Sequence, residues 1–208
     1  MTEVLAPDAR VSARRTVTRE KLMAAASTVF AEHSIPGASV EVICEAAGFT
    51  RGAFYSNFAD KDQLVLALIQ ASIQTQYAAA AQAIATMKAT TGDHSPADLV
   101  SIAITAFEEA ARPGREGILT QQELLLYAAR QPTLREPYLA FADECLRQLA
   151  TLLADALRFT GLEFAIDFGV AIELLTATHN HLEMQALFTG RLDPDILRLL
   201  LLAITRPV

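Results

Sequence analysis

An all-α fold is what this sequence of 208 residues predicts, and three observations carry the expectation. Apolar residues make up 52% of the chain, with alanine and leucine foremost among them, and both are strong helix formers. Only 9 glycines and 8 prolines interrupt the chain, too few for many short strands and turns. The apolar residues recur at helical spacing, and no segment alternates in the manner of a strand.

The first dozen residues carry no such periodicity and read as a disordered arm. It begins near Thr18, a residue suited to an N-cap, with Glu20 in the favourable first turn. Leu22, Ala26, Val29 and Phe30 then share one helix face, and Ser34-Ile35-Pro36-Gly37 is a stop. Ser39 can cap a short second helix in which Val40, Ile43, Cys44 and Ala47 repeat at core spacing, so Cys44 is expected to pack rather than react. Gly48 breaks that pattern, and Thr50 can cap a third helix from Arg51 to Asn57, with Phe54 and Phe58 as core.

A fourth helix opens at Asp60-Lys61-Asp62 and runs to about Met87, long enough to join two domains. Beyond it, Ser95-Pro96-Ala97-Asp98 combines an N-cap, a proline at the first helical position and an acid in the first turn, starting a fifth helix that runs to Ala111. Further helices are expected over Ile118–Arg130, Arg135–Phe159, Glu163–Phe188 and Asp193–Thr205, punctuated by Pro132, Gly161 and Gly190.

Charge and composition exclude several classes. The formal net charge of -7 is unevenly spread: residues 1–70 carry seven Lys or Arg against eight Asp or Glu, and residues 71–208 carry ten against sixteen. The acidity therefore belongs mainly to the C-terminal part. Near the start, Arg10, Arg14, Arg15 and Arg19 come without an acid between them and form a local positive arm. Cys44 and Cys145 stand far apart with no Cys-x-x-Cys spacing, which suggests neither a disulfide framework nor a zinc site. His179, His181 and Glu183 do not make a metal site, because residues two apart point to opposite sides of a helix. No signal core, bilayer-length apolar run, phosphate loop or catalytic triad order is evident, so the expectation is a cytoplasmic protein that is not an enzyme and needs no cofactor or metal.

Two short helices joined by a glycine turn, apolar inside and polar outside, are the parts of a helix-turn-helix, whose second helix can enter a DNA major groove. That second helix is slim, since Gly52, Ala53 and Ser56 expose little side chain. Arg51 could donate to guanine, Thr50 or Ser56 to phosphate or base edges, and Asn57 to either. The stretch Thr18 to Ile69 resembles the DNA-binding domain of the TetR family of repressors. Most of the likeness is carried by Gly48, Gly52, Tyr55, Phe58, Lys61 and Leu64 within Gly48-Phe49-Thr50-Arg51-Gly52-Ala53-Phe54-Tyr55-Ser56-Asn57-Phe58-Ala59-Asp60-Lys61-Asp62-Gln63-Leu64. The resemblance implies that Tyr55 donates its hydroxyl to one DNA phosphate and that Lys61 grips another. Asn57 departs from the family pattern, which often has an aromatic residue or histidine there.

The resemblance gives the fold class its full form: an N-terminal three-helix helix-turn-helix DNA-binding domain, joined by a long helix to a C-terminal helical ligand-binding and dimerisation domain. The expected boundaries are a flexible basic arm over 1–14, the DNA-binding domain over 15–76 with its helix-turn-helix at about 39–58, and the effector-binding and dimerisation domain over 77–208. The candidate DNA contacts are Arg15, Ser39, Val40, Thr50, Arg51, Gly52, Ala53, Tyr55, Ser56, Asn57 and Lys61. The candidate effector pocket is Phe107, Leu125, Tyr127, Tyr138, Phe141 and Met184, an apolar set with a few hydroxyls.

The family pairs its last two long helices with a partner's copies. Phe164, Phe168, Ile172, Leu175 and Leu182, with Ile196, Leu200 and Ala203, supply apolar faces for that homodimer. The expected partners are palindromic double-stranded DNA, a second copy of the chain and a small, mainly apolar effector that releases the DNA, with no membrane involved. The protein would sit on the nucleoid when bound. Two rival readings are a ligand-independent regulator or activator with the same DNA head, and a helical carrier or interaction protein whose helix-turn-helix is vestigial.

Overall fold

The computed structural model describes the backbone of residues 7–111 and 113–208, and side chains from residue 14 onward except at position 112. The elements run α1 (Pro7–Gly37), α2 (Val40–Ala47), α3 (Arg51–Tyr55), α4 (Lys61–Ala89), α5 (Pro96–Ala111), α6 (Arg115–Arg130), α7 (Pro132–Thr160), β1 (Leu162–Phe164), α8 (Phe168–Thr189), α9 (Pro194–Ala203) and β2 (Thr205–Pro207). Among the described residues the fold is all-α apart from one short pair of strands. It divides into two compact units, one of residues 1–70 with 119–138 and the other of 71–118 with 139–208.

The first unit holds the three N-terminal helices. Residues 1–6 of the expected arm lie outside the described residues, and residues 7–14 are helical, because α1 starts at Pro7 rather than near Thr18. α1 breaks at Ser34, whose φ of 58° is left-handed, just before Pro36. Ser39 then caps α2 by accepting from the Val42 amide at 3.3 Å. Gly48, at φ 70°, ends α2 with a Schellman turn: the Phe49 amide donates to Cys44 O at 2.9 Å and the Gly48 amide to Glu45 O at 3.1 Å. Thr50 caps α3 through the Ala53 amide at 3.3 Å. Leu22, Phe30, Ile43, Cys44, Phe54, Phe58 and Leu64 are all buried.

α4 begins at a reciprocal cap, in which Asp60 Oδ1 accepts from the Gln63 amide at 2.8 Å and Gln63 Oε1 accepts from the Ala59 amide at 2.6 Å. By length and composition α4 is apolar enough to span a bilayer, with a mean hydropathy of 1.2 over 18 residues. Sequence reading finds no such run. Alanine, leucine, isoleucine and valine together account for that value, and the helix buries Leu64, Val65, Leu68, Ala83, Ile84 and Met87 within the protein.

The second unit is organised around α5, which meets two apolar clusters. On one side Val100 and Ile104 pack with Leu162, Leu182 and Leu197, joined by the partly buried Phe107, Leu157 and Leu175. On the other, Leu99, Ile102 and Ala103 pack against Ile84, Met87 and Ala156. The strands correct the expectation of helix from Glu163 and of no sheet at all. Leu162–Phe164 pairs antiparallel with Thr205–Pro207, and Arg206 Nε lies 2.8 Å from Glu163 Oε1 across the pair. α8 starts only after Asp167, which caps it through the Val170 amide at 3.1 Å. α9 correspondingly ends at Ala203, two residues before the predicted limit. α6 and α7 each begin three residues earlier than periodicity predicts, α7 with Pro132 in its first turn.

A Cβ added at Gly48 would meet nothing within 4 Å, so only the backbone opposes a side chain there. Gly48→Ala is therefore expected to cost about 1 kcal/mol of stability by left-handed strain alone. Urea denaturation would show it as a lower midpoint with an unchanged slope.

Candidate nucleic-acid interface

α3 is anchored by Phe54 and Phe58, whose rings lie 5.6 Å apart and are fully buried. That orientation turns Thr50, Arg51, Gly52, Tyr55 and Ser56 to the exterior. Tyr55 is 49% exposed, with its ring edge-on to Phe54 at 5.3 Å, so an apolar body is held and a hydroxyl presented. Arg51 lies over that ring at 5.8 Å and also meets Glu41 of α2, Nη1 to Oε1 2.8 Å. The backbone amide and the Ser39 hydroxyl, then Arg51, hold the Glu41 carboxyl below the usual range. The pair is exposed, and such pairs contribute little, so a phosphate or guanine can displace Glu41 at small cost. Ser39 and Arg15 are exposed, while Val40 and Ala53 are half-buried.

Two expected contacts have other employment. Asn57 is 8% exposed, and its amide turns inward to donate to Ala53 O at 2.8 Å and Ser56 Oγ at 3.2 Å. It closes the end of α3 and does not present an edge to a base, which corrects its assignment as a reader. Lys61 is partly buried and donates from Nζ to Ile35 O at 2.8 Å and Ala38 O at 3.0 Å. Two of its three N–H donors go to carbonyls left by the break in α1, and burial lowers its pKa.

Several positioning roles differ from what the sequence suggests, which places Arg19 in a basic arm, Tyr127 in a pocket, and gives Thr120 and Glu123 no role. Arg19 donates from Nη1 to Asn57 O at 3.1 Å and lies 4.3 Å over the Phe58 ring, tying α1 to the end of α3. α6 contributes three contacts from one face: Thr120 Oγ1 donates to Ser27 O at 2.9 Å, Glu123 Oε2 accepts from the Ile35 amide at 3.2 Å, and the Tyr127 hydroxyl donates to Asp62 Oδ1 at 2.8 Å. The available signal was the helical spacing of Thr120, Glu123 and Tyr127, which puts them on one face of α6 without naming their partners.

The six residues expected to line a pocket are divided between the units. Leu125, Tyr127 and Tyr138 fall in the first, Phe107, Phe141 and Met184 in the second. Leu125 is exposed and the Tyr127 hydroxyl is engaged by Asp62. The expected dimer face is corrected in part. Ile172 and Leu182 are buried in the monomer and Leu175 packs beside Leu182, because this face of α8 meets the cluster around α5. Phe164 and Phe168 are half-buried against one another at 5.3 Å, and Leu200 is half-buried. Ile196 and Ala203 are exposed.

Residues 22–68 match the family model described as bacterial regulatory proteins, tetR family. The HTH-type transcriptional repressor AcnR of Corynebacterium efficiens is 43% identical over 51 residues, which are 24% of this chain and 27% of that protein. The chain thus aligns with little more than a quarter of that relative. Among solved structures, Escherichia coli NemR in its reduced form superposes with a TM-score of 0.67 at 16% identity, covering 92% of this chain and 99% of that one. The multidrug binding protein EbrR, solved in complex with imidazole, gives 0.61 at 23% identity, covering 91% and 96%. The match to the tetR family model thus covers the helix-turn-helix head, and the likeness to solved structures extends to the fold of the whole chain.

Burial, and after it the hydrogen bond to Asp62, push the Tyr127 phenol up to about 12. The native state therefore holds this proton more tightly than the unfolded chain, whose phenols titrate near 10. Its contribution to stability is complete below about pH 10 and is lost as pH rises through about 12. In Tyr127→Phe that part of the alkaline loss of stability should vanish, and the tyrosinate absorbance titration of the native protein should lose its highest component. An unchanged titration would contradict the burial of this phenol.

Proposed function

We propose that this protein is a DNA-binding transcriptional repressor that binds a palindromic operator as a homodimer and is released from it by a small-molecule effector. The observation that carries the reading is the outer surface of α3, where Thr50, Arg51, Gly52, Tyr55 and Ser56 are turned outward by two buried phenylalanines inside the segment that matches the family. Tyr55 positions the helix through a phosphate, Arg51 reads a base edge once Glu41 is displaced, and Thr50 and Ser56 approach the backbone. Arg15 and Ser39 add phosphate contacts, with Val40, Gly52 and Ala53 allowing close approach. Lys61 acts chiefly by holding the turn before α2. The likeness to AcnR, which is named a repressor, supports the direction of control.

One small head makes few contacts, and two heads about 34 Å apart would read a palindrome. The faces proposed for dimerisation are Val170, Leu174 and Ala177 on α8 and Ile196, Leu199 and Ala203 on α9, all exposed and each set on one side of its helix. The effector is sensed in the second unit, and the fold likeness to a multidrug binding protein supports that assignment. A ligand preferring the released state by about 3 kcal/mol would weaken operator binding about 150-fold. The protein works in the cytoplasm, where its DNA is.

Selection of bound fragments from genomic DNA, followed by footprinting at modest salt, tests the reading. Protection of a two-fold symmetric site is expected, and indifference to every duplex would end it. Tyr55→Phe should weaken specific and non-specific duplexes alike, by about tenfold. Arg51→Ala should instead flatten preference at particular base pairs, as read by fluorescence anisotropy on a panel of single-base variants. Leu174→Glu with Leu199→Glu should give a monomer in sedimentation velocity.

A further inference from the structure

Burying an ionised side chain is costly unless its charge and hydrogen-bonding positions are met. One turn of α8 departs from that rule. Glu183 is 1% exposed and His179 is 8% exposed, and both lie on the face of α8 that meets α5. The imidazole Nε2 stands 3.3 Å from Glu183 Oε1 without making a directed hydrogen bond. Among the described residues, Glu183 Oε2 and both ring nitrogens of His179 have no hydrogen-bond partner. Among the described residues no lysine or arginine lies within ion-pair distance of Glu183. The Phe107 ring from α5 stands edge to face with the imidazole, centroids 5.1 Å apart. Phe107 and Leu175 also pack on the apolar cluster that contains Leu182.

These groups have a definite chemistry. A carboxylate oxygen and an imidazole nitrogen accept hydrogen bonds, the carboxylate attracts positive charge, and an aromatic ring beside them favours a flat or cationic group. We propose that Glu183, His179 and Phe107 bind a small organic cation of the amidinium or protonated-amine class. An N–H of the ligand meets Glu183 Oε2 and an apolar body lies along Phe107 and Leu175. This deepens the reading of the second unit as a sensor and rests on it: the effector has a positively charged end as well as an apolar part.

Three probes of one shape test the site on the intact protein without any variant: benzamidine, benzamide and benzoate, measured by titration calorimetry in the absence of DNA. Benzamidine should saturate, benzamide should bind at least about tenfold more weakly, as expected for loss of one charge-assisted hydrogen bond, and benzoate should not bind. Glu183→Gln should bring benzamidine down to the level of benzamide. Glu173→Gln, an exposed carboxylate on the same helix, should change nothing. Equal binding of benzamide or benzoate, absence of benzamidine binding at millimolar concentration, or full retention of benzamidine by Glu183→Gln would each overturn the proposal. The operator complex is assayed separately. Benzamidine binding that leaves that complex intact would overturn the site as the sensor, and benzamidine binding by a protein that ignores DNA would sink the regulator reading while supporting the site.

Discussion

Where α1 breaks at Ser34, backbone groups leave the helical ladder, and a buried backbone group must find another partner. The protein answers with two side chains from distant elements. Lys61, at the start of α4, takes the carbonyls of Ile35 and Ala38, and Glu123 of α6 takes the Ile35 amide. The turn that launches α2 is thereby fixed to α4 and α6 at once. Desolvation makes the ammonium less basic, and the two carbonyl oxygens it gains are what keep a partly buried charge there acceptable. If that turn shifted, Ser39 would lose its register as the cap of α2, and the Schellman turn and α3 would follow.

The same economy explains why the outer face of α3 is so small. Five helical residues provide only about a turn and a half, and Phe54 is given to the core. Asn57 and Arg19 are given to closing the far end of the helix, the guanidinium covering the Phe58 ring while it satisfies the Asn57 carbonyl. What remains outward is a threonine, an arginine, a glycine, a tyrosine and a serine. A helix this short is held by its neighbours more than by its own hydrogen bonds. The rigidity needed to present a tyrosine hydroxyl therefore comes from the aromatic contacts beneath it.

Local devices were legible in the sequence. Ser39 and Thr50 act as caps, α4 opens beside Asp60, Gly48 takes the left-handed position, and the aromatic core of the head follows from spacing, because each depends on residues within a turn or two. The rest depends on distance along the chain. Lys61 meets residues 23 and 26 positions away, Glu123 one that is 88 away, and Tyr127 one that is 65 away. No periodicity encodes such pairings. The strand Leu162–Phe164 escaped for the same reason, since it is extended only because Thr205–Pro207 lies alongside. The resemblance gave Lys61 a role at phosphate, yet residue type alone could not reveal that nearer carbonyls claim its protons.

α8 is ambiguous in the sequence for a different reason, because it is apolar on two sides. Ile172, Leu175 and Leu182 share the core face with His179 and Glu183, while Val170, Leu174 and Ala177 lie about half a turn round and face outward. Hydrophobicity marks both faces alike and cannot say which is core and which awaits a partner. The polar residues could have decided it. His181 is exposed, in line with the outer stripe, whereas His179 and Glu183 are buried, so two histidines two positions apart sample opposite environments. The geometry that argues against a shared metal site thus divides the helix between an inner polar pair and an outer apolar surface. In the proposed regulator, sensing and dimerisation occupy the two sides of this one rigid element.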